Sequence, residues 1–458
     1  MTRFLCTAAL LLGLVGCSDP KFDDSTQVGP DPVLPAPKNY LFPPMHIAPG
    51  EGWGKGETPR VPAGLEIHAL ATGLAHPRFA YVLPNGDILA VQGDSPGTEP
   101  FVRFKQLVFK WVRGGADNAP GGPKAASRIT LIRDANGDGK PELVTTLLDH
   151  LNSPFGVTWV DGNLYVANTD AVVAYPFTPG QTQITAPGRT LTDLPGPPID
   201  HHWTKSLVAS PDGTKLYATV GSNSNIVENG MEAEKNRASV WEIDRLTGAH
   251  RLFATGLRNP NSPSFYPGTN NLFVVVNERD ELGSHLVPDY LTSVRDGAFY
   301  GWPFSYYGRH VDVRVPPMDR RPDLVAKAVV PDYALGSHVA ALGLTFYSGS
   351  LLPAQYRGGA FIGEHGSWDR HSPSGYKVVF VPFANGRPSG KAQDVVTGFL
   401  DTARDRTHGR PVGVAVDRYG ALLIADDVGN TLWRVTPAGW RPSGPAPAAP
   451  AAAPAQHP

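Results

Sequence analysis

A short pattern recurs six times along this chain. Each copy has a turn with Pro or Gly, an extended apolar run, a polar turn and a second apolar run. The copies are 76–91 (HPRFAYVLPNGDILAV), 153–167 (SPFGVTWVDGNLYVA), 205–220 (KSLVASPDGTKLYATV), 262–276 (SPSFYPGTNNLFVVV), 342–362, which carries an insertion, and 411–425 (PVGVAVDRYGALLIA). Asn85-Gly86, Asp161-Gly162, Asp212-Gly213 and Tyr419-Gly420 are hairpin signals, because tight loops need residues that tolerate positive φ. A repeat of this size with several short strands per unit is the signature of a β-propeller. Six copies predict an all-β, six-bladed β-propeller. The uneven spacing predicts long loops at one mouth of its channel, where a propeller builds its site. The segment 66–74 (EIHALATGL) is the candidate strand for closing the ring against the last blade.

The ends of the chain read differently. Arg3 precedes an apolar run, 5–15, too short to span a bilayer, and the run ends at Leu14-Val15-Gly16-Cys17. This resembles a bacterial lipobox, so 1–17 is expected to be a lipoprotein signal and Cys17 the acylated residue. The protein is then exported, facing the periplasm and touching the membrane through its lipid anchor alone. Cys6 and Cys17 are the two cysteines, so the mature chain would hold no thiol and no disulfide. The stretch 18–60, rich in Asp, Pro and Gly, is read as an extended tether, with room for some of its residues to pack on the domain. The propeller is expected over 61–438, and 439–458 as a disordered Pro/Ala tail. A net charge of -2 without basic runs excludes electrostatic capture of nucleic acid.

Chemistry-bearing residues cluster at strand ends of neighbouring repeats. Asp200-His201-His202-Trp203-Thr204-Lys205 precedes the third repeat, and a His near neutral pH is the natural general base. Downstream lie Gly256-Leu257-Arg258-Asn259-Pro260, Asn277-Glu278-Arg279-Asp280-Glu281-Leu282 and Tyr300-Gly301-Trp302-Pro303. In this order the segments HWTK, GLRNP, NERDELG and YGWP resemble the sorbosone dehydrogenase and soluble glucose dehydrogenase family. That family consists of propeller quinoproteins that use pyrroloquinoline quinone (PQQ) with calcium. The resemblance covers roughly 65–437 and is strongest from 202 to 303.

The resemblance implies a dehydrogenase for an aldose, a sorbosone-like ketoaldehyde or a polyol, passing electrons to an external acceptor. It puts His202 at the base position, with Asp200 as the candidate group that orients it. It puts Arg258, Asn259 and Arg410 on the cofactor, where guanidinium forks match carboxylates. Near the family's cofactor Lys the chain reads Glu364-His365-Gly366, so His365, or Arg370, is the expected substitute. The family's Gln in the second blade falls at Leu151 beside Asn152. The family's calcium sits on two successive backbone carbonyls, which align with Asp280 and Glu281.

A separate run, Asp134, Asn136, Asp138, Gly139, Lys140 and Glu142, has the oxygen spacing of a calcium loop and predicts a structural Ca²⁺. Trp203, Trp302 and Trp368 are candidates for a stacking surface. The chain shows no Rossmann Gly motif, nucleophile elbow or P-loop. Two other readings are a non-catalytic binding propeller and a lactonase-type hydrolase. The second would need side-chain carboxylates around a metal at the channel centre, where this sequence supplies His and Arg.

Overall fold

The computed structural model describes residues 22–40, 44–97, 122–123 and 126–442. Six antiparallel sheets of four or five strands make up six blades. Blade 1 runs Pro77–Val82, Ile88–Gln92, Arg128–Arg133 and Leu143–Leu148. Blade 2 opens with Gly156–Val160 and Asn163–Ala167, and blade 3 with Leu207–Ala209 and Lys215–Val220. Blade 4 contains Asn259–Phe265, Leu272–Asn277, Pro288–Val294 and Tyr333–Ser337. Blade 5 opens with Ala341–Phe346 and Ala360–Glu364. Blade 6 holds Pro411–Val416, Leu422–Asp426 and Thr431–Pro437. Each sequence repeat overlaps the first two strands of its blade.

The ring closes where the repeat pattern placed the seam. Leu65–Thr72 pairs with Thr431–Pro437 from Leu65↔Pro437 to Thr72↔Thr431, giving blade 6 a fourth strand from the start of the propeller.

Blades adhere because both faces of their middle strands are apolar. In Asn163–Ala167, Leu164 and Val166 pack toward blade 1 while Tyr165 and Ala167 pack toward blade 3. In Leu272–Asn277, Leu272, Val274 and Val276 meet blade 3, and Phe273 and Val275 meet blade 5. A period of two therefore reads as a continuous apolar run, as in any strand buried on both sides. Six hydrophobic clusters fill the six inter-blade seams. The first strands of successive blades touch in a ring around the channel. Gly343 lies in that ring, where an added Cβ would fall 2.1 Å from the Val412 carbonyl oxygen.

Within the stretch read as a tether, several described residues pack on the propeller. Val28–Gly29 pairs with Leu335 and Ala334 and caps the outer edge of blade 4. Trp53 donates its indole N–H to Asp426 at 2.7 Å, stacks on His408 and meets Trp433 and Phe399 edge-on. Low hydrophobic periodicity hid this packing, because a few anchors hold the segment rather than a repeating face. Residues 1–21 and 443–458, and with them Cys17, lie outside the described residues.

Candidate functional site

In an antiparallel meander the start of the first strand and the end of the second lie at the same end of a blade. That rule gathers the candidates. Arg78, Asn259 and Arg410 stand at the starts of first strands, and His202 precedes one. Ser222, Asp280, His365 and Asp427 follow second strands. The floor beneath them is apolar: Phe155, Leu342 and Val412, with Trp203 against them.

His202 is held by its own blade. Nδ1 lies 2.9 Å from the Ser222 carbonyl and 3.0 Å from its hydroxyl. The carbonyl can only accept, so Nδ1 carries the hydrogen and Nε2 the lone pair. Burial, then the Arg258 charge, pushes the imidazole pKa well below 6.5, which keeps the ring neutral. Lys205 donates to the carbonyls of His202 and Trp203 at 3.3 and 3.2 Å and fixes that backbone. Gly221 makes the approach possible, since an added Cβ would fall 2.5 Å from His202 Cβ and 2.6 Å from Asn259 Oδ1. Asp200 does not orient the base. Its carboxylate accepts from Thr169 and faces Lys205 and Arg237 at 3.7 and 3.9 Å. The expected orienting role therefore passes to Ser222, because burial commits Asp200 to the nearest cations.

Arg258 is buried and donates to the Glu278 carbonyl at 2.6 Å, Asn225 Oδ1 at 3.1 Å and Asp280 Oδ2 at 2.8 Å. Arg410 is also buried. It donates to the Tyr376 hydroxyl at 3.0 Å, lies over that ring, and has no carboxylate within ion-pair distance among the described residues. His365 faces Asp427 at 2.9 Å. Burial lowers the His365 pKa; the same burial opposes ionisation of Asp427, but His365 and Arg78 hold that carboxyl below the usual range. Arg370 turns away: it binds Asp24 at 2.6 Å and the Ser372 carbonyl at 2.9 Å, so it does not replace the family's Lys. Asn152 is bound to Asp170 at 2.8 Å. Trp302 sits in the core against Val227 and Ala238.

Arg78 was missed by sequence reading. It pairs with Asp427 and lies 5.5 Å from the Trp203 ring centroid and 5.7 Å from that of Phe155. Its position just after His76-Pro77 in the first repeat was the available signal. The Nε atoms of Arg78, Arg258 and Arg410, and Oδ1 of Asn259, are buried without a hydrogen-bond partner. Buried donors normally find acceptors. Three guanidinium groups with unused, buried N–H bonds, one of them over the Phe155 and Trp203 rings, fit a flat, polyanionic group such as PQQ.

The calcium expectation does not fit. The carbonyl of Asp280 accepts Arg314 Nη1 at 3.0 Å and Asn225 Nδ2 at 3.1 Å, and the carbonyl of Glu281 accepts Arg314 Nη1 at 3.3 Å. A guanidinium thus stands on both expected backbone ligands, held there by Asp312 at 2.8 Å. The expected structural calcium fares similarly. Asp134 Oδ2 is taken by Arg434 at 3.0 Å and by the Gly139 N–H. Asn136 accepts from Asp138 N–H, Asp138 from Lys140 N–H, and Glu142 from Ala135 N–H. The loop is a hairpin closed by its own turns and a cation from blade 6.

The Glucose / Sorbosone dehydrogenase family matches residues 157–367, and a TrAA12-like family matches 323–438. An uncharacterized protein of Borreliella burgdorferi is 26% identical over 314 residues, 65% of this chain and 79% of that protein. Among solved structures, the Trichoderma reesei Carbohydrate-Active Enzymes Family AA12 protein superposes with a TM-score of 0.67 at 18% identity, covering 86% of this chain and 99% of that one. The PQQ domain of pyranose dehydrogenase from Coprinopsis cinerea gives 0.63 at 17%, covering 85% and 100%. The soluble aldose sugar dehydrogenase of Escherichia coli gives 0.52 at 17%, covering 81% and 99%. At these identities the structural likeness is one of fold.

Proposed function

We propose that this chain, which belongs to the glucose/sorbosone dehydrogenase family, is a PQQ-dependent dehydrogenase of an aldose, a sorbosone-like ketoaldehyde or a polyol. The observation that carries the reading is the neutral His202, fixed through Nδ1 beside Arg258 and Asn259 at one channel mouth. When bound, PQQ would supply an ortho-quinone that accepts the hydride. Arg258, Arg410 and Arg78 would hold its carboxylates, and Asn259 its remaining polar edge. Nε2 of His202 would take the proton from the substrate hydroxyl, and the Nδ1–H bond to the Ser222 carbonyl would stabilise the charge the ring then gains. His365 would stay neutral against Asp427 and line the opposite wall. Phe155 and Trp203 keep the floor dry.

Electrons would leave to an external acceptor. The lipobox at Cys17 supports an exported, lipid-anchored protein facing the periplasm, and labelling cells with a radioactive fatty acid, with Cys17→Ala as control, tests it. The test of the activity is dye reduction by the full-length chain supplied with PQQ, over a panel of aldoses and polyols. Reduction that requires PQQ supports the dehydrogenase. Absence of PQQ binding would overturn it and favour a non-catalytic propeller.

A further inference from the structure

Asp280, His338 and Asp369 present ligand atoms that all lie within 4.8 Å of one another. Asp280 follows the second strand of blade 4, His338 directly follows its fourth strand, and Asp369 follows the second strand of blade 5. The fold thus brings together residues 89 positions apart (369 − 280). His338 is buried, and its Nε2 lies 3.2 Å from the Gly283 carbonyl. That carbonyl takes the Nε2 hydrogen, and Nδ1 faces Asp280 Oδ1 3.5 Å away, where a bound metal would replace the Nδ1 hydrogen shared with the carboxylate. An imidazole fixed through one nitrogen by a backbone carbonyl is how proteins orient a metal ligand. Asp369 is fully buried: Oδ2 accepts the Glu281 N–H at 2.6 Å, and Oδ1 has no hydrogen-bond partner. A buried carboxylate oxygen without a donor is unfavourable, and a cation removes that cost.

We propose that Asp280, His338 and Asp369 form a site for one divalent transition-metal ion of the zinc, cobalt or manganese class. Two carboxylate oxygens and one imidazole nitrogen suit those ions; calcium takes oxygen ligands in larger number. Metal–ligand bonds of about 2.1 Å put tetrahedral ligands about 3.4 Å apart, so the His338–Asp280 pair already stands at a ligating separation. The Asp369 oxygen lies within 4.8 Å of both and would move in to complete the set. Asp280 is the most exposed of the three side chains, so the ion enters from the channel mouth. Oδ1 would serve the ion while Oδ2 keeps Arg258. The ion would then brace the carboxylate that positions Arg258 without touching substrate. Its ligands are side-chain atoms, whereas Arg314 stands on the backbone carbonyls of Asp280 and Glu281.

The test is a cobalt titration of the full-length, chelator-stripped chain without quinone, read by visible absorption and by melting temperature. Saturation near one equivalent with a raised melting temperature is expected, with zinc displacing the signal. His338→Gln and Asp369→Asn should each weaken cobalt binding at least tenfold. No saturable binding in the unmodified chain would overturn the proposal. So would binding unchanged in both variants, which would place the ion elsewhere. Should Asp369→Asn fail to fold, His338→Gln decides alone, and undiminished cobalt affinity there rejects the site.

Discussion

At the residue scale, the division of labour around the channel mouth yields separable effects. His202→Ala removes a proton acceptor and leaves the guanidinium groups in place. Turnover should fall by about 10²–10⁴-fold, with PQQ affinity by fluorescence quenching little changed. Arg410→Ala should do the reverse. A charge-assisted hydrogen bond contributes about 1.5–3 kcal/mol, so PQQ should bind about 10–100-fold more weakly. Arg410 is the better choice than Arg258 for this test, because Arg258 also neutralises Asp280. The pH behaviour follows from His202. Burial and Arg258 depress its pKa in the folded chain, so acid protonates the unfolded chain first. Its contribution to stability is complete above pH 6.5 and is lost as pH falls through the depressed folded value. The acid limb of kcat/KM should accordingly lie below pH 6.5, and a limb at or above that value would remove His202 from the base role.

At the scale of elements, the N-terminal segment behaves as part of the propeller. Trp53 fills a niche between His408, Phe399 and Trp433 and satisfies the buried carboxylate of Asp426. The same carboxylate accepts the Arg410 backbone N–H at 2.7 Å. Trp53→Ala should therefore cost about 3 kcal/mol in chemical denaturation. It should also weaken PQQ binding through the slackened Arg410 backbone, although Trp53 lies outside the mouth. A change within 0.5 kcal/mol would mean that the segment contributes nothing to the fold. The loop 134–142 makes the opposite point. Its acidic spacing is that of a calcium loop, yet Arg434 from blade 6 supplies the positive charge. Calcium added to the chelator-stripped chain should leave its melting temperature unchanged, and Asp134→Ala should destabilise by leaving buried Arg434 with Asp417 as its remaining carboxylate partner.

For the whole molecule, closure is the governing feature. Leu65–Thr72 joins the start of the propeller to its last blade, so every blade rests on two neighbours. Deleting 65–72 should strip the outer strand from blade 6, remove Leu70 and Ala71 from its seam with blade 1 and lower the calorimetric melting temperature. PQQ binding should act in the other direction. Ligand at 100 times its dissociation constant stabilises by about 2.7 kcal/mol, raising the melting temperature of the full chain and much less that of Arg410→Ala.

What the sequence alone determined was periodic and local. Period-two apolar runs and Gly turns specified six blades, since strands buried on both faces leave few other solutions. Short motifs marked His202, Arg258 and Asn259, because these residues sit at strand ends that the meander brings to one mouth. What tertiary structure decided was the pairing of charges. Asp200 orients no base because Lys205, Arg237 and Thr169 reach it first. Arg370 serves Asp24 rather than the site. Arg314, with no motif to mark it, stands on the carbonyls of Asp280 and Glu281. Arg78 reaches Trp203 across blades. A buried charge takes the nearest counter-charge in space, and in a closed ring of blades that partner is set by which loops meet at the channel.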